Sequence, residues 1–173
     1  EGFWLKTSTA LETSVVIKDS WRKSDYSSLP YPTMKTVNLA RLNVINVADN
    51  SWSQAVVNFE NAATKGFDPS WDAYLLKGNP DKPSLYTMAD QRYLSINSIP
   101  GQETDLPLYF EPSSGSSNAY QLQLDDSELG AEWRVNVFDR YLNKWHNLTS
   151  SNYNFSATPN ADLYRFDVFF SKS

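Results

Sequence analysis

An all-β domain, built as an antiparallel, jelly-roll-like β-sandwich with one short helix, is the fold this sequence predicts, and three observations predict it. Aromatic residues make up 14% of the 173 residues against only six glycines, and aromatic and β-branched side chains favour the half-buried surface of a pleated sheet. Apolar residues recur at every second position in run after run, as in Tyr120-Gln121-Leu122-Gln123-Leu124 and Trp133-Arg134-Val135-Asn136-Val137. That period belongs to strands with one face in a core. The runs are short and punctuated by Gly, Pro, Asn, Asp and Ser, as in sandwiches. One domain over 1–173 accounts for the length, with enough chain to bury a core without cross-links.

In order, Phe3-Trp4-Leu5-Lys6-Thr7 opens the chain as a strand with no turn before it, and Val15-Val16-Ile17-Lys18 is the second. Residues 19–35 are rich in Ser, Pro, Tyr and charge. The positions before Pro30 and Pro32 are pushed to extended geometry, so this stretch reads as a long surface loop carrying Trp21, Tyr26 and Tyr31. Val37 to Val47 is the most strand-like run. Leu42 and Val44 alternate with Arg41 and Asn43, while Leu39 and Ile45 are out of phase, and a bulge between Leu39 and Leu42 would reconcile the two. Ala48-Asp49-Asn50-Ser51 is a turn, and Trp52 to Glu60 returns as the second arm of a hairpin.

The helix is expected near 68–77. Asp68 is a good N-cap, Pro69 suits the first helical position, Asp72 places a negative charge in the opening turn, and Gly78 ends the run. Phe67, Trp71 and Leu75 recur four apart, which makes Trp71 the expected core anchor. Beyond the turn at Gly78–Pro83, short strands follow at Leu85–Met88, Tyr93–Asn97, Leu106–Phe110, Tyr120–Leu124, Trp133–Val137, Trp145–Leu148, Tyr153–Phe155 and Tyr164–Phe170. Pro107 confines its strand to an edge or marks the strand's start, and 113–118 forms a Ser-rich loop. In the last strand Tyr164, Phe166, Val168 and Phe170 share the inward phase.

Composition narrows function by exclusion. Without cysteine there is no disulfide, thiolate metal site or cysteine nucleophile. A net charge of −5 argues against nucleic acid or an anionic membrane surface as partner. No apolar run approaches the roughly 20 residues of a membrane-spanning helix, so a soluble chain is expected, with any export signal outside it.

Little in the sequence points to catalysis. His146, the single histidine, lies in a short strand, and no Gly-x-Ser-x-Gly elbow accompanies it. Glycosidases use two carboxylates across a cleft, which brings Glu60, Glu103, Glu111, Glu128 and Glu132 into view without a pattern that pairs them. Asp68 and Asp72 could share a side of the helix and give hard oxygen ligands to a structural calcium ion; the competing role for both is helix capping. Asp125-Asp126 offers a second, weaker pair. Trp21, Tyr26, Tyr31 and Trp52 lie in or beside turns, where planar rings can stack on a sugar face or simply pin a loop.

Several stretches, taken in order, resemble a module of large exported Bacteroidetes proteins that commonly precedes the C-terminal sorting domain of type IX secretion cargo. They are Gly2-Phe3-Trp4-Leu5-Lys6, Trp21-Arg22, Arg41-Leu42-Asn43-Val44, Gly66-Phe67-Asp68 with Asp72-Ala73, Leu85-Tyr86-Thr87, Leu94-Ser95-Ile96-Asn97 with Ile99-Pro100, Leu106-Pro107-Leu108-Tyr109-Phe110 and Tyr120-Gln121-Leu122. The resemblance covers nearly the whole chain. It implies a non-catalytic β-sandwich in an adhesin-like secreted or cell-surface protein, acting as a spacer or attachment domain whose partners are other domains of a parent polypeptide. An upstream Asn-Pro-Tyr-Pro block and the downstream sorting domain, both usual in such proteins, are not in this sequence, and a fragment of a larger protein is expected. A carbohydrate-binding module with a glycan partner is the alternative, and a glycoside hydrolase-like enzyme the third.

Overall fold

A computed structural model describes residues 38–101, 104–114, 118–159 and 161–173. The two strands expected before residue 19, Trp21, Tyr26, Tyr31 and Glu103 lie outside these residues. The described residues are all β. Eleven strands follow in chain order: β1 (Leu39–Asn46), β2 (Trp52–Phe59), β3 (Ala73–Tyr74), β4 (Ser84–Ala89), β5 (Arg92–Ile99), β6 (Thr104–Glu111), β7 (Asn118–Asp125), β8 (Trp133–Asp139), β9 (Lys144–Asn147), β10 (Tyr153–Ala157) and β11 (Tyr164–Lys172).

These strands form one continuous sheet in the order β10-β7-β1-β2-β5-β4-β6-β11-β8-β9, with β3 on β5. Every described pairing is antiparallel except β2 with β5, which is parallel. The sheet curls until it is nearly closed into a barrel, and this corrects the expected sandwich of two separate sheets. The cause lies in β4, whose first half (Ser84–Tyr86) pairs with β6 and whose second half (Thr87–Ala89) pairs with β5. A strand that changes partner midway joins what would otherwise be two sheets. On β5, Leu94 and Ile96 take β4 and β2 on one edge and β3 on the other.

The inward residues, among them Leu42, Val44, Val57, Leu108, Phe110, Leu122, Val137, Phe155 and Phe166, make one core. The expected hairpin of β1 and β2 forms, but without the bulge: its register runs unbroken from Leu39↔Asn58 to Ile45↔Trp52. Ala40, Leu42 and Val44 are fully buried, while Leu39 and Ile45 are half-buried on the opposite face. A sheet covered partly on both faces explains the two phases without an inserted residue. β6 lies between β4 and β11 and is no edge strand, but Pro107 falls in the half of it that, among the described residues, pairs with β11 alone, where a missing amide is tolerated.

The expected helix at 68–77 does not form. Asp68 does begin a turn, its carbonyl accepting from the amides of Trp71 and Asp72. The Asp72 carboxylate then closes that turn, Oδ2 accepting from the Asp68 amide at 2.8 Å and Oδ1 from the Ser98 amide of β5 at 2.7 Å. Ala73 and Tyr74 follow directly as β3 on the edge of β5. A helix of this length is marginal on its own, and an unpaired sheet edge offers its backbone better partners. Trp71 is accordingly 39% exposed, no core anchor, and Phe67 packs on Tyr74 instead, with ring centroids 4.9 Å apart.

Candidate functional site

The sheet is left unclosed between its end strands β9 and β10, and side chains bridge that seam. Tyr153 of β10 donates its hydroxyl to Asp139 Oδ2 of β8 at 3.1 Å, and its ring lies 5.1 Å from that of His146 on β9. Asp139 is fully buried. Its Oδ1 accepts from the amides of Tyr141 and Leu142 at 3.0 and 3.1 Å, an Asx-type arrangement that shapes the β8–β9 turn. Its Oδ2 also takes Nε and Nη2 of Arg165 at 3.2 and 2.8 Å.

Arg165 reaches this position because β11 bulges there. Tyr164 pairs with Tyr109 and Phe166 with Leu108, so one extra residue sits between consecutive partners. A bulge re-aims the side chain it carries. Here it turns Tyr164 away from the phase of Phe166 and Val168, contrary to the inward position expected for it, and sends Arg165 into the seam, 5% exposed. The guanidinium stacks 4.3 Å from the centre of the Phe155 ring, and its Nη1 donates to the Ser156 carbonyl at 2.9 Å. The charge is thus met by a carboxylate, a carbonyl and ring faces, which is how a buried arginine is tolerated.

Above this ion pair lies an open pocket of about 580 Å³, lined by Arg140, Tyr141, Ser156, Thr158, Asp162 and Arg165 among others. Tyr141, at the tip of the β8–β9 turn, is 79% exposed. Leu142 and Trp145 of the same hairpin are also exposed, and Trp145 leans on Phe138 and Phe169 at 5.1 and 4.8 Å. Arg140 lies 4.2 Å from the centre of the Tyr164 ring and pairs with Asp167 at 3.0 Å, and that hydrogen bond holds its guanidinium above the usual arginine range.

Tyr164 ends a row of tyrosines crossing four neighbouring strands on the face that Leu85, Leu108 and Phe110 do not share, with Tyr86 itself fully buried there. Tyr93 meets Tyr86 edge-on at 5.2 Å, Tyr86 stacks on Tyr109 at 5.5 Å, and Tyr109 on Tyr164 at 5.2 Å. Such cross-strand pairs stabilise a sheet. Burial first, and then the hydrogen bond to Asp167, pushes the Tyr164 hydroxyl up to about 12. Burial and then the Asp139 charge do the same to Tyr153, also to about 12.

Of the residues singled out from sequence, none of those described lines this pocket, and Asp68 and Asp72 alone among them come together. Trp52 opens β2 and is 62% exposed. Asp68 and Asp72 share a turn, with Asp68 Oδ2 accepting from the Thr64 amide at 2.5 Å and both oxygens of Asp72 bound to amides as described. Glu111, Glu128 and Glu132 each face a different cation, Lys77, Arg41 and Lys172, and Glu60 Oε1 accepts from the Ala62 amide at 3.3 Å. His146 bonds the Ser151 carbonyl at 2.8 Å. Asp125 is held below the usual carboxylate range by hydrogen bonds from Ser127. Among the described residues no three His, Cys, Asp or Glu side chains gather as metal ligands would.

Asp139, Arg165 and Tyr141 escaped the sequence reading. Asp139 had a signal, an aspartate at a strand end before a four-residue turn. Arg165 had none, because it looks like the outward member of an alternating strand until the bulge shifts the phase.

The chain belongs, over residues 1–170, to the family described as Domain of unknown function (DUF8693). Neither a curated protein nor a solved structure matches it.

Proposed function

We propose that this DUF8693 domain is a non-catalytic, extracellular attachment and spacer module of a larger adhesin-like protein exported by type IX secretion. The observation that carries the non-catalytic part is the saturation of Asp139. Its two oxygens accept from Tyr141 N, Leu142 N, Tyr153 Oη, Arg165 Nε and Arg165 Nη2. A carboxylate that moves protons or attacks a substrate needs an oxygen within reach of the reacting atom, whereas this one holds a seam shut. The attachment part draws support from the exposed Tyr141, Leu142 and Trp145 on one hairpin, since exposed rings of this kind are enriched at contact surfaces. Export and the multidomain setting rest on the sequence resemblance.

The test is to delete residues 1–173 from the encoding gene of the parent protein and to follow its export, surface retention and activity. Export and activity are expected to persist while retention at the surface or on its target is lost. Loss of an enzymatic activity that the isolated domain can restore would overturn the reading.

A further inference from the structure

We propose that the pocket over the Asp139–Arg165 pair binds one residue of an uncharged saccharide, with Tyr141 as the stacking ring. The inference rests on the attachment reading and gives it a ligand class. Three features of the pocket converge. The first is Tyr141, whose backbone is fixed by Asp139 while its ring stands 79% exposed. The fold spends a buried carboxylate on holding an aromatic ring in water; the Arg165 guanidinium lies 5.6 Å from its centre on one face, and the other face is available to the apolar side of a sugar.

The second is charge. Arg165 is matched by Asp139 at 2.8 Å and Arg140 by Asp167 at 3.0 Å, and Asp162 adds a carboxylate to the lining. An anionic ligand would meet no unmatched cation here and one additional negative charge. Hydroxyl groups, which both donate and accept, fit Asp162, Ser156, Thr158 and the arginine edges equally. Arg165 has five N–H donors, of which three are bonded to the protein; the other two have no partner among the described residues, although the side chain is 95% buried by its 5% exposure.

The third feature separates a sugar from a peptide. Peptides commonly add to a free strand edge through main-chain hydrogen bonds. At this pocket the β10 carbonyl of Ser156 is already taken by Arg165, the β11 residues Tyr164 and Arg165 belong to a strand paired on both sides, and apart from Ala157 at the end of β10 the remaining lining comes from turns and loops. A volume of about 580 Å³ lies in the range of small-ligand sites and admits one or two sugar rings.

The experiment is a glycan array of neutral and acidic saccharides probed with the full chain, followed by titration of the neutral hits against Tyr141→Ala, Tyr141→Phe, Asp162→Asn and Trp52→Ala. Neutral glycans are expected to bind. Tyr141→Ala should weaken them at least about tenfold, the loss seen when an aromatic anchor is truncated, with an unchanged melting temperature. Tyr141→Phe should retain binding, Asp162→Asn should weaken it, and Trp52→Ala should leave it unchanged. Binding of acidic glycans alone, binding of no glycan, or loss on Trp52→Ala in place of Tyr141→Ala overturns the proposal. If no glycan binds while deletion from the parent still abolishes surface retention, the saccharide falls and the attachment reading stands.

Discussion

Two aspartate turns in this domain look alike in sequence and are built to opposite ends. At Asp68–Asp72 the carboxylates are half-buried and bind only backbone amides, those of Thr64, Asp68 and Ser98. At Asp139 a single carboxylate, fully buried, serves two amides, a tyrosine hydroxyl and an arginine. The first arrangement fastens a connection to a sheet edge. The second closes the seam of a barrel and holds a pocket above it. A carboxylate's role here follows from its burial and from the register of a distant strand, and neither is written in the residues beside it.

Breaking the seam should have the largest effect. In Asp139→Ala the Arg165 charge keeps its burial and loses its partner, a change that removes about 3–5 kcal/mol in comparable pairs. Urea melts would measure it. A loss near that of an exposed site would mean that the seam opens and lets water reach Arg165, and the contrast between the two turns would vanish.

Alkaline titration sharpens the same contrast, because tyrosines surround the seam and the row leading to it. Tyr86, Tyr153 and Tyr164 are raised from 10.0 to about 12 in the folded chain, with burial the first cause in each. Above pH 10 the unfolded chain therefore holds fewer protons on these groups than the folded one, and stability falls as pH rises. Their contribution is complete below pH 10 and lost by about pH 12. Phenolate absorbance should show three late tyrosines whose ionisation coincides with unfolding; ten tyrosines ionising together near pH 10 would refute the burial account.

Much of this fold was legible, and the reason is periodicity. Most strands, β1, β6, β7, β8, β10 and β11 most plainly, sit on an alternating apolar run, because a half-buried strand has to show period two; β4 and β9 are placed by the turns around them. What stayed hidden depends on partners. β3 exists because β5 has an edge to fill, and helix signals at Asp68, Pro69 and Gly78 lost to it. The closure of the sheet depends on β4 changing neighbours at Thr87, which no local pattern records. Arg165 faces inward through a one-residue shift against β6, so the ion pair beneath the pocket could not be read from either strand alone.

A smaller effect is expected at the other turn. Asp72→Ala leaves the amides of Asp68 and Ser98 without their acceptor in a half-buried site, a loss of about 1–3 kcal/mol. Trp71→Ala should change stability by about 1 kcal/mol or less, as exposed positions do, where a core anchor would lose about 3–5 kcal/mol. Denaturant midpoints of the two variants would separate the cases. If Trp71→Ala proved the more damaging, the segment would behave as the helix its sequence suggests.

The smallest expected effect is that of calcium. A cation at Asp68 and Asp72 would have to displace the amides that now hold Asp68 Oδ2 and both oxygens of Asp72, and the connection to β5 runs through those bonds. Calcium prefers six to eight oxygen ligands, and this turn offers few that are not already engaged. A ligand that binds only the folded state raises stability with its concentration, so melting temperatures in excess calcium and in chelator are expected to coincide. A rise with calcium that disappears in Asp72→Asn would show that the turn trades its amides for a metal ion, and the two aspartate turns would then differ in ligand as well as in burial.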